Sequence, residues 1–250
     1  MLATTITSSK PSLTTNDSAV LQALFDAESS PSSAVTVDPR LPPLPTHLGI
    51  SSEEYAALQA REKEIITPLA STTQPTPETS QVQYAISALD AIIKEYPKYP
   101  SAYANRAQAL RVLIDDENES EQKSVQETLL SSLLSDLGKA ITLAAPLSPA
   151  DAVSPAQARL LADTHTHRGY LLLKISRQLK SGDEHDIKNV PVTLKEIGSD
   201  GLEEMASRDF FFGGRYGHKI AQQMAVQTNP YAKMCGAIVK EAMRKEVEGV

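Results

Sequence analysis

The sequence predicts an all-α fold, a right-handed superhelix of about three helical hairpins that ends in a C-terminal capping helix. Apolar and small residues recur at helical spacing through the middle of the chain, and prolines separate these segments. One hairpin pattern is also repeated imperfectly along the chain. Tryptophan is absent and only four phenylalanines occur among 250 residues, a composition that favours helices over sheets.

The N-terminal part, residues 1–46, is predicted to be a disordered or linker segment that contains one short helix at 16–26. Serine and threonine are frequent in 1–15. Residues 16–18 read as a helix cap, and Val20, Leu24 and Phe25 follow at helical spacing. Five prolines then predict an extended linker over 29–47. The short helix either docks on the rest of the chain, in which case it could occupy a groove there, or is itself a recognition motif.

Residues 47–250 are predicted to form the helical domain. Ser51 and Glu54 have the spacing of a capping box, which predicts a helix that runs to about Ile66. The remaining helices are predicted over 81–95, 101–114, 124–145 and 156–179, with a last helix that starts at Asn229. The segments between them, at 67–79, 115–123 and 180–199, are predicted loops that are long for such a domain.

The repeated hairpin is clearest in the middle of the chain. Ala85, Leu89 and Ile92 share one helical face, and Pro97 ends that helix. The segment 133–146 restates the pattern and also ends in a proline. Small residues at fixed helical offsets allow two helices to approach closely, as in a tetratricopeptide repeat. Such arrays bind other proteins, so the sequence predicts a binding protein and not an enzyme.

Five stretches of the chain match the sequence pattern of a known family: 16–26, 101–111, 136–141, 166–169 and 229–235. On these stretches the chain resembles the tetratricopeptide repeat protein 36 family and looks like a fungal-type member with enlarged loops. The resemblance implies a small helical repeat protein that acts as an adaptor and has no catalytic residues. The chain departs from the family pattern in the proline-rich loop at 67–79 and in inserts near 115 and 185.

The predicted function is that of a protein-interaction scaffold or adaptor, in which the first helices of the hairpins line a concave groove that binds a peptide or domain of a partner protein. An alternative for two of the predicted groove residues is that Arg106 and Arg168 pair with Asp136 or Asp209 between helices. The partner-binding residues predicted for the groove are Asn105, Arg106, Gln108, Arg168 and Arg61.

Binding of the C-terminal tails of the chaperones Hsp70 and Hsp90 is not expected. Some tetratricopeptide domains grip such a carboxylate with lysine, asparagine and arginine side chains. Asn105 matches the asparagine of the second repeat, but Glu62 and Asp163 stand where cations are required. Acidic residues at these positions would repel an acidic tail.

No catalytic residue, cofactor or metal is predicted. His165 and His167 are two residues apart and diverge on a helix, so interhelix hydrogen bonding is the better interpretation. Cys235 is interpreted as a buried apolar residue. The glycines in 213–217 match no phosphate-binding motif and are expected to break one helix and allow the next to pack closely. A ligand-binding or catalytic site at 213–218, and a structural role in a larger complex, remain alternatives.

Charge and hydropathy restrict the possible partners and location. The formal net charge is −7, which gives no electrostatic basis for binding nucleic acid. No apolar run approaches the length of a membrane span. A single cysteine excludes an intramolecular disulfide. We therefore expect a cytoplasmic or nuclear protein whose partners are other proteins and neither nucleic acid nor membrane.

Overall fold

A computed structural model describes residues 35–70, 77–115, 123–183, 187–229, 241 and 244. Contacts divide the chain into two units, residues 1–34 and residues 35–250, and the described residues all lie in the second. The helix predicted at 16–26, Cys235 and the helix predicted after Asn229 lie outside the described residues.

The described part of the chain is all-α, as predicted, and contains no strand, only an isolated parallel bridge between Val37 and Val153. Two short 3-10 helices lie at Thr46–Leu48 and Thr67–Ala70. The α-helices in the described residues are α1 (Ser52–Ile66), α2 (Thr79–Glu95), α3 (Pro100–Asp115), α4 (Lys123–Ala144), α5 (Pro155–Ser181), α6 (Val192–Arg215) and α7 (Lys219–Thr228).

Capping boxes begin two of these helices. At α1 the backbone N–H of Glu54 donates to Ser51 Oγ at 3.1 Å, and the N–H of Ser51 donates to Glu54 Oε2 at 2.8 Å. Ser154 and Gln157 form the same reciprocal pair at α5, with Pro155 in the first turn. Each pair satisfies donors that a helix start leaves without an intrahelical partner, so both starts are encoded locally.

Helices α1 to α6 pack as three successive hairpins, and α7 packs on α6. The last hairpin is antiparallel: Gly213 lies beside Ala162, and Ser176 Oγ donates to the carbonyl oxygen of Ser199 at 2.7 Å. Apolar side chains fill three clusters along the domain, which centre on Leu89 in α2, Leu137 in α4 and Phe210 in α6. A row of hairpins with cores between them is consistent with a helical repeat.

The segment before α1 does not run free of the domain as a linker would. The N–H of Asp38 donates to the carbonyl oxygen of Val153 at 2.9 Å, and the N–H of Val153 donates to that of Thr36 at 2.9 Å. Leu44 is buried, and Ser154 Oγ donates to the carbonyl oxygen of Pro43 at 2.8 Å. The segment is therefore extended, as predicted, but it packs against the start of α5 and is not a free linker.

Two predictions near the C-terminus need correction. The polar loop predicted over 180–199 ends early, because helical structure resumes at Val192 and is interrupted only at Gly198, whose φ is +76°. Gly213 and Gly214 do not break α6, which continues to Arg215. Their predicted close packing with the next helix is correct, since a Cβ on Gly214 would lie 2.8 Å from Gln222 Cγ and one on Gly213 would lie 3.1 Å from Ala221 Cβ, both in α7.

None of the helices in the described ranges is long and apolar enough to cross a membrane.

Candidate functional site

Asn105 lies in a buried polar network around Glu62 of α1. The Glu62 side chain is only 3% exposed and accepts hydrogen bonds from Tyr99 Oη at 2.7 Å, Ser101 Oγ at 2.8 Å and Asn105 Nδ2 at 2.9 Å. Burial raises the pKa of Glu62, and the three hydrogen bonds oppose that rise. Burial and the adjacent Glu62 also raise the pKa of Tyr99. The network joins α1 to the start of α3.

Arg106, the next residue of α3, joins three helices through its guanidinium. Nε donates to Asp136 Oδ2 at 2.7 Å, and Nη2 donates to Asp136 Oδ1 at 2.5 Å. Nη1 donates to Asp90 of α2. The guanidinium also lies 5.7 Å from the centre of the Tyr103 ring. These bonds hold α2, α3 and α4 together.

Arg168 repeats this arrangement 62 residues later, in α5. Its Nε donates to Asp209 Oδ2 at 2.7 Å and its Nη2 to Asp209 Oδ1 at 2.7 Å. His165 Nδ1 lies 2.8 Å from the same Oδ1. Burial alone would raise the pKa of Asp209, but the hydrogen bonds from His165 and Arg168 outweigh it and hold that pKa below its usual range. In both hairpins, an arginine of the first helix grips an aspartate of the second.

Four of the five residues predicted for a partner groove already have contacts within the chain. Arg106 pairs with Asp136 and Arg168 pairs with Asp209, as in the alternative interpretation of these two arginines. Asn105 donates to Glu62. Arg61 Nη1 donates to Glu95 Oε2 at 2.7 Å on the surface, and Gln108 is exposed. The Asn105–Glu62 bond places α1 beside α3, and the role of these side chains in partner binding stays a prediction.

A cavity of about 380 Å³ lies beside the Arg168–Asp209 pair. Its walls come from the end of α4, the turn after it, α5 and α6. Ile141, Leu161 and Met205 contribute apolar surface, while Phe212 and Tyr216 contribute rings. Its polar lining is supplied by His165, Arg168, Arg208, Asp209 and Arg215.

Aromatic contacts order one wall of this cavity. The His165 ring stacks on Phe212, with centroids 5.3 Å apart and planes at 28°, and on Tyr216, with centroids 6.2 Å apart and planes at 14°. The guanidinium of Arg208 lies 5.9 Å from the centre of the Phe212 ring. Burial raises the pKa of the Tyr216 hydroxyl. Nδ1 of His165 is engaged with Asp209, and Nε2 is the ring nitrogen outside that contact.

Sequence reasoning found Arg168 but missed Met205 and Arg208 as cavity residues. A signal was present, since residues 205, 208, 209, 212, 215 and 216 follow helical spacing on one face of α6. The prediction of a helix break within 213–217 obscured this face of α6, because it ended the helix too early. The three phenylalanines of α6 have different surroundings: Phe210 is buried in the apolar cluster that includes Ala221 of α7, Phe212 lines the cavity, and Phe211 is 47% exposed.

The two histidines of α5 have different surroundings. The predicted interhelix hydrogen bond is correct for His165. It is wrong for His167, whose buried ring nitrogens have no hydrogen-bond partner among the residues that the structure describes. Burial and the nearby Arg111 lower the pKa of His167 to about 4, and Asp115 partly opposes them. Within the described ranges, no group of three or more histidine, cysteine, aspartate or glutamate side chains could hold a metal ion.

Comparison with known proteins gives two full-length relatives. The chain is 59% identical to the L-tyrosine degradation gene cluster protein hmgX of Aspergillus fumigatus over 99% of this chain and 98% of that protein. The chain belongs to the hmgX family. It is also 24% identical to human tetratricopeptide repeat protein 36 over 92% of this chain and 94% of that protein, in line with the resemblance read from the sequence. No family model and no solved structure matches this hmgX-family chain.

Proposed function

We propose that this chain is a non-catalytic adaptor of the tetratricopeptide-repeat type that binds a protein acting in L-tyrosine degradation. The process comes from the hmgX relative, whose name places it in a gene cluster for that degradation. The adaptor role comes from the helical hairpins and from the similarity to tetratricopeptide repeat protein 36. Neither a catalytic step nor a cofactor is part of the proposal.

The observation that carries the proposal is the recurrence of one interhelix ion pair in successive hairpins. Arg106–Asp136 and Arg168–Asp209 use the same guanidinium atoms, and the two arginines are 62 residues apart. An equivalent contact in each unit is what stacked copies of one repeat produce, and stacked repeats present extended surfaces to partner proteins. An adaptor needs such a surface, which the predicted groove along α1, α3 and α5 would supply.

The partner surface is tested with exposed residues, so that stability is left intact. The variant Arg61→Ala/Gln108→Ala removes two exposed side chains of the predicted groove helices α1 and α3. The matched control Lys94→Ala/Gln83→Ala removes a cation and an amide that are exposed on α2. Substitutions at such positions usually change stability by less than about 0.5 kcal/mol.

The experiment is affinity purification of the tagged chain from its own organism grown on L-tyrosine, with growth of a deletion strain on L-tyrosine as a second readout. We expect enrichment of a protein of L-tyrosine degradation that the groove variant loses and the control keeps. We also expect the deletion strain to grow poorly on L-tyrosine. Equal capture by both variants would refute the groove, and normal growth of the deletion strain would refute the process.

A further inference from the structure

We propose that the cavity between α4, α5 and α6 is a binding site for a small aromatic carboxylate. The proposal stands apart from the adaptor function, because it rests on the charge, the rings and the size of this cavity. A protein that binds a partner could carry such a site whether or not the two are coupled.

The charge of the lining favours an anion. Among the described residues that line the cavity, three carry a guanidinium group, Arg168, Arg208 and Arg215, and one, Asp209, carries a carboxylate. Asp209 already accepts two bonds from Arg168 and lies in hydrogen-bond distance of His165. The lining therefore keeps a positive excess in a chain whose net charge is −7. Guanidinium groups match carboxylates in geometry as well as in charge.

Two of these arginines are suited to receive the carboxylate. Arg208 lies over the Phe212 ring, and no carboxylate in the described part of the chain pairs with it. Arg168 is held by Asp209 through Nε and Nη2, which leaves Nη1 outside that pair. A guanidinium that is already positioned loses less conformational entropy when it binds a ligand.

The walls favour a ring. The stack of His165, Phe212 and Tyr216 forms an aromatic wall, and Leu161 and Met205 supply apolar surface. Aromatic side chains pack favourably against a further ring in offset or edge-to-face arrangements. A volume of about 380 Å³ lies at the lower end of the range for small-molecule sites, which suits a single-ring acid better than a longer segment of protein.

The test is isothermal titration of the full chain with phenylacetate as the probe. Phenylacetamide keeps the ring without the charge, and hexanoate keeps the charge without the ring. We expect phenylacetate to bind at least about tenfold more tightly than either. Equal affinity for phenylacetate and phenylacetamide, or no binding of phenylacetate, would overturn the proposal. A glutamate-rich peptide that bound more tightly than phenylacetate would overturn it as well, in favour of a peptide groove.

Variants then locate the site. We expect Arg208→Gln and Phe212→Leu each to weaken phenylacetate binding by about tenfold or more. The control Arg177→Gln changes an exposed arginine of α5 that does not line the cavity, and we expect it to bind as the unchanged chain does. Circular dichroism of each variant checks the fold. Because Arg208 is exposed, Arg208→Gln is expected to fold and decides the test if Phe212→Leu does not fold. Unchanged affinity in folded Arg208→Gln would place binding elsewhere and refute the site.

Discussion

Asn105 donates a 2.9 Å hydrogen bond from Nδ2 to Oε1 of the buried Glu62. The amide that a carboxylate-gripping groove would offer to a partner is thus held by a carboxylate of the chain itself. The sequence placed both residues at groove positions, and the structure joins them to each other. The expectation that acidic chaperone tails are not the partners stays a prediction.

The first prediction concerns that bond. We expect Asn105→Ala to lower the free energy of unfolding by about 1–3 kcal/mol, because a buried carboxylate then loses one of its three donors. Urea denaturation measures the change. Gln108→Ala, at an exposed position of the same helix, should change stability by less than about 0.5 kcal/mol. Equal effects of the two variants would mean that the Asn105–Glu62 bond contributes nothing measurable to stability.

Asp209→Asn is expected to lower the free energy of unfolding by about 2–4 kcal/mol. The amide removes the negative charge and one of the two acceptor oxygens that Asp209 offers to Arg168 and His165. The Arg168 side chain is 29% exposed, which moderates the cost of a broken buried pair. The control is Asp163→Asn, an exposed residue 3.9 Å from Arg159. Urea denaturation should find that control close to the unchanged chain, and a similarly small effect of Asp209→Asn would contradict the prediction.

Two helical glycines should respond in opposite directions to alanine. A Cβ on Gly169 of α5 would lie 3.2 Å from the carbonyl oxygen of Ala206 and 3.2 Å from Asp209 Cβ, so we expect Gly169→Ala to cost about 1–3 kcal/mol. A Cβ on Gly138 of α4 would meet only Arg168 Nη1, at 3.7 Å, and alanine favours the helix by up to about 1 kcal/mol. Thermal melts of the two variants check this, and a stabilising Gly169→Ala would refute the close approach of α5 and α6.

The fourth prediction concerns pH. The folded-state pKa of His167, about 4, is lower than its usual 6.5, so the unfolded chain takes up a proton first as the pH falls. Above pH 6.5 the ring is neutral in both the folded and the unfolded chain, and its burial does not lower stability. The free energy of unfolding then falls as the pH decreases from 6.5 towards 4. The shift corresponds to about 3 kcal/mol.

His167→Leu should reduce the slope of unfolding free energy against pH in this window, measured by urea denaturation at several pH values. Because the ring nitrogens of His167 have no hydrogen-bond partner in the described part of the chain, leucine removes no hydrogen bond there. The exposed His47→Leu is the control and should leave the slope as it is. A slope that stays the same in His167→Leu would show that this side chain does not carry the pH dependence.

The sequence predicted the helices well where apolar period, caps and prolines agree, as in α1 to α5. It failed where local signals conflict with tertiary packing. Gly213 and Gly214 read as a break, but Thr166, Ala221 and Gln222 crowd them so closely that only glycine fits within a continuous helix. The cavity was not predictable as a site, because its residues come from α4, α5 and α6, and only their packing brings them together.

Residues 35–44 add a constraint that a plain row of hairpins lacks. They precede α1 in the chain, yet they bond to Val153 and Ser154 at the start of α5, and the N–H of Val35 donates to the carbonyl oxygen of Arg215 at 3.5 Å. A linear array can fray from one end, since each unit contacts only its neighbours. Here residues 35–44 link the first hairpin to the third, so we expect the hairpins to unfold in a single cooperative transition.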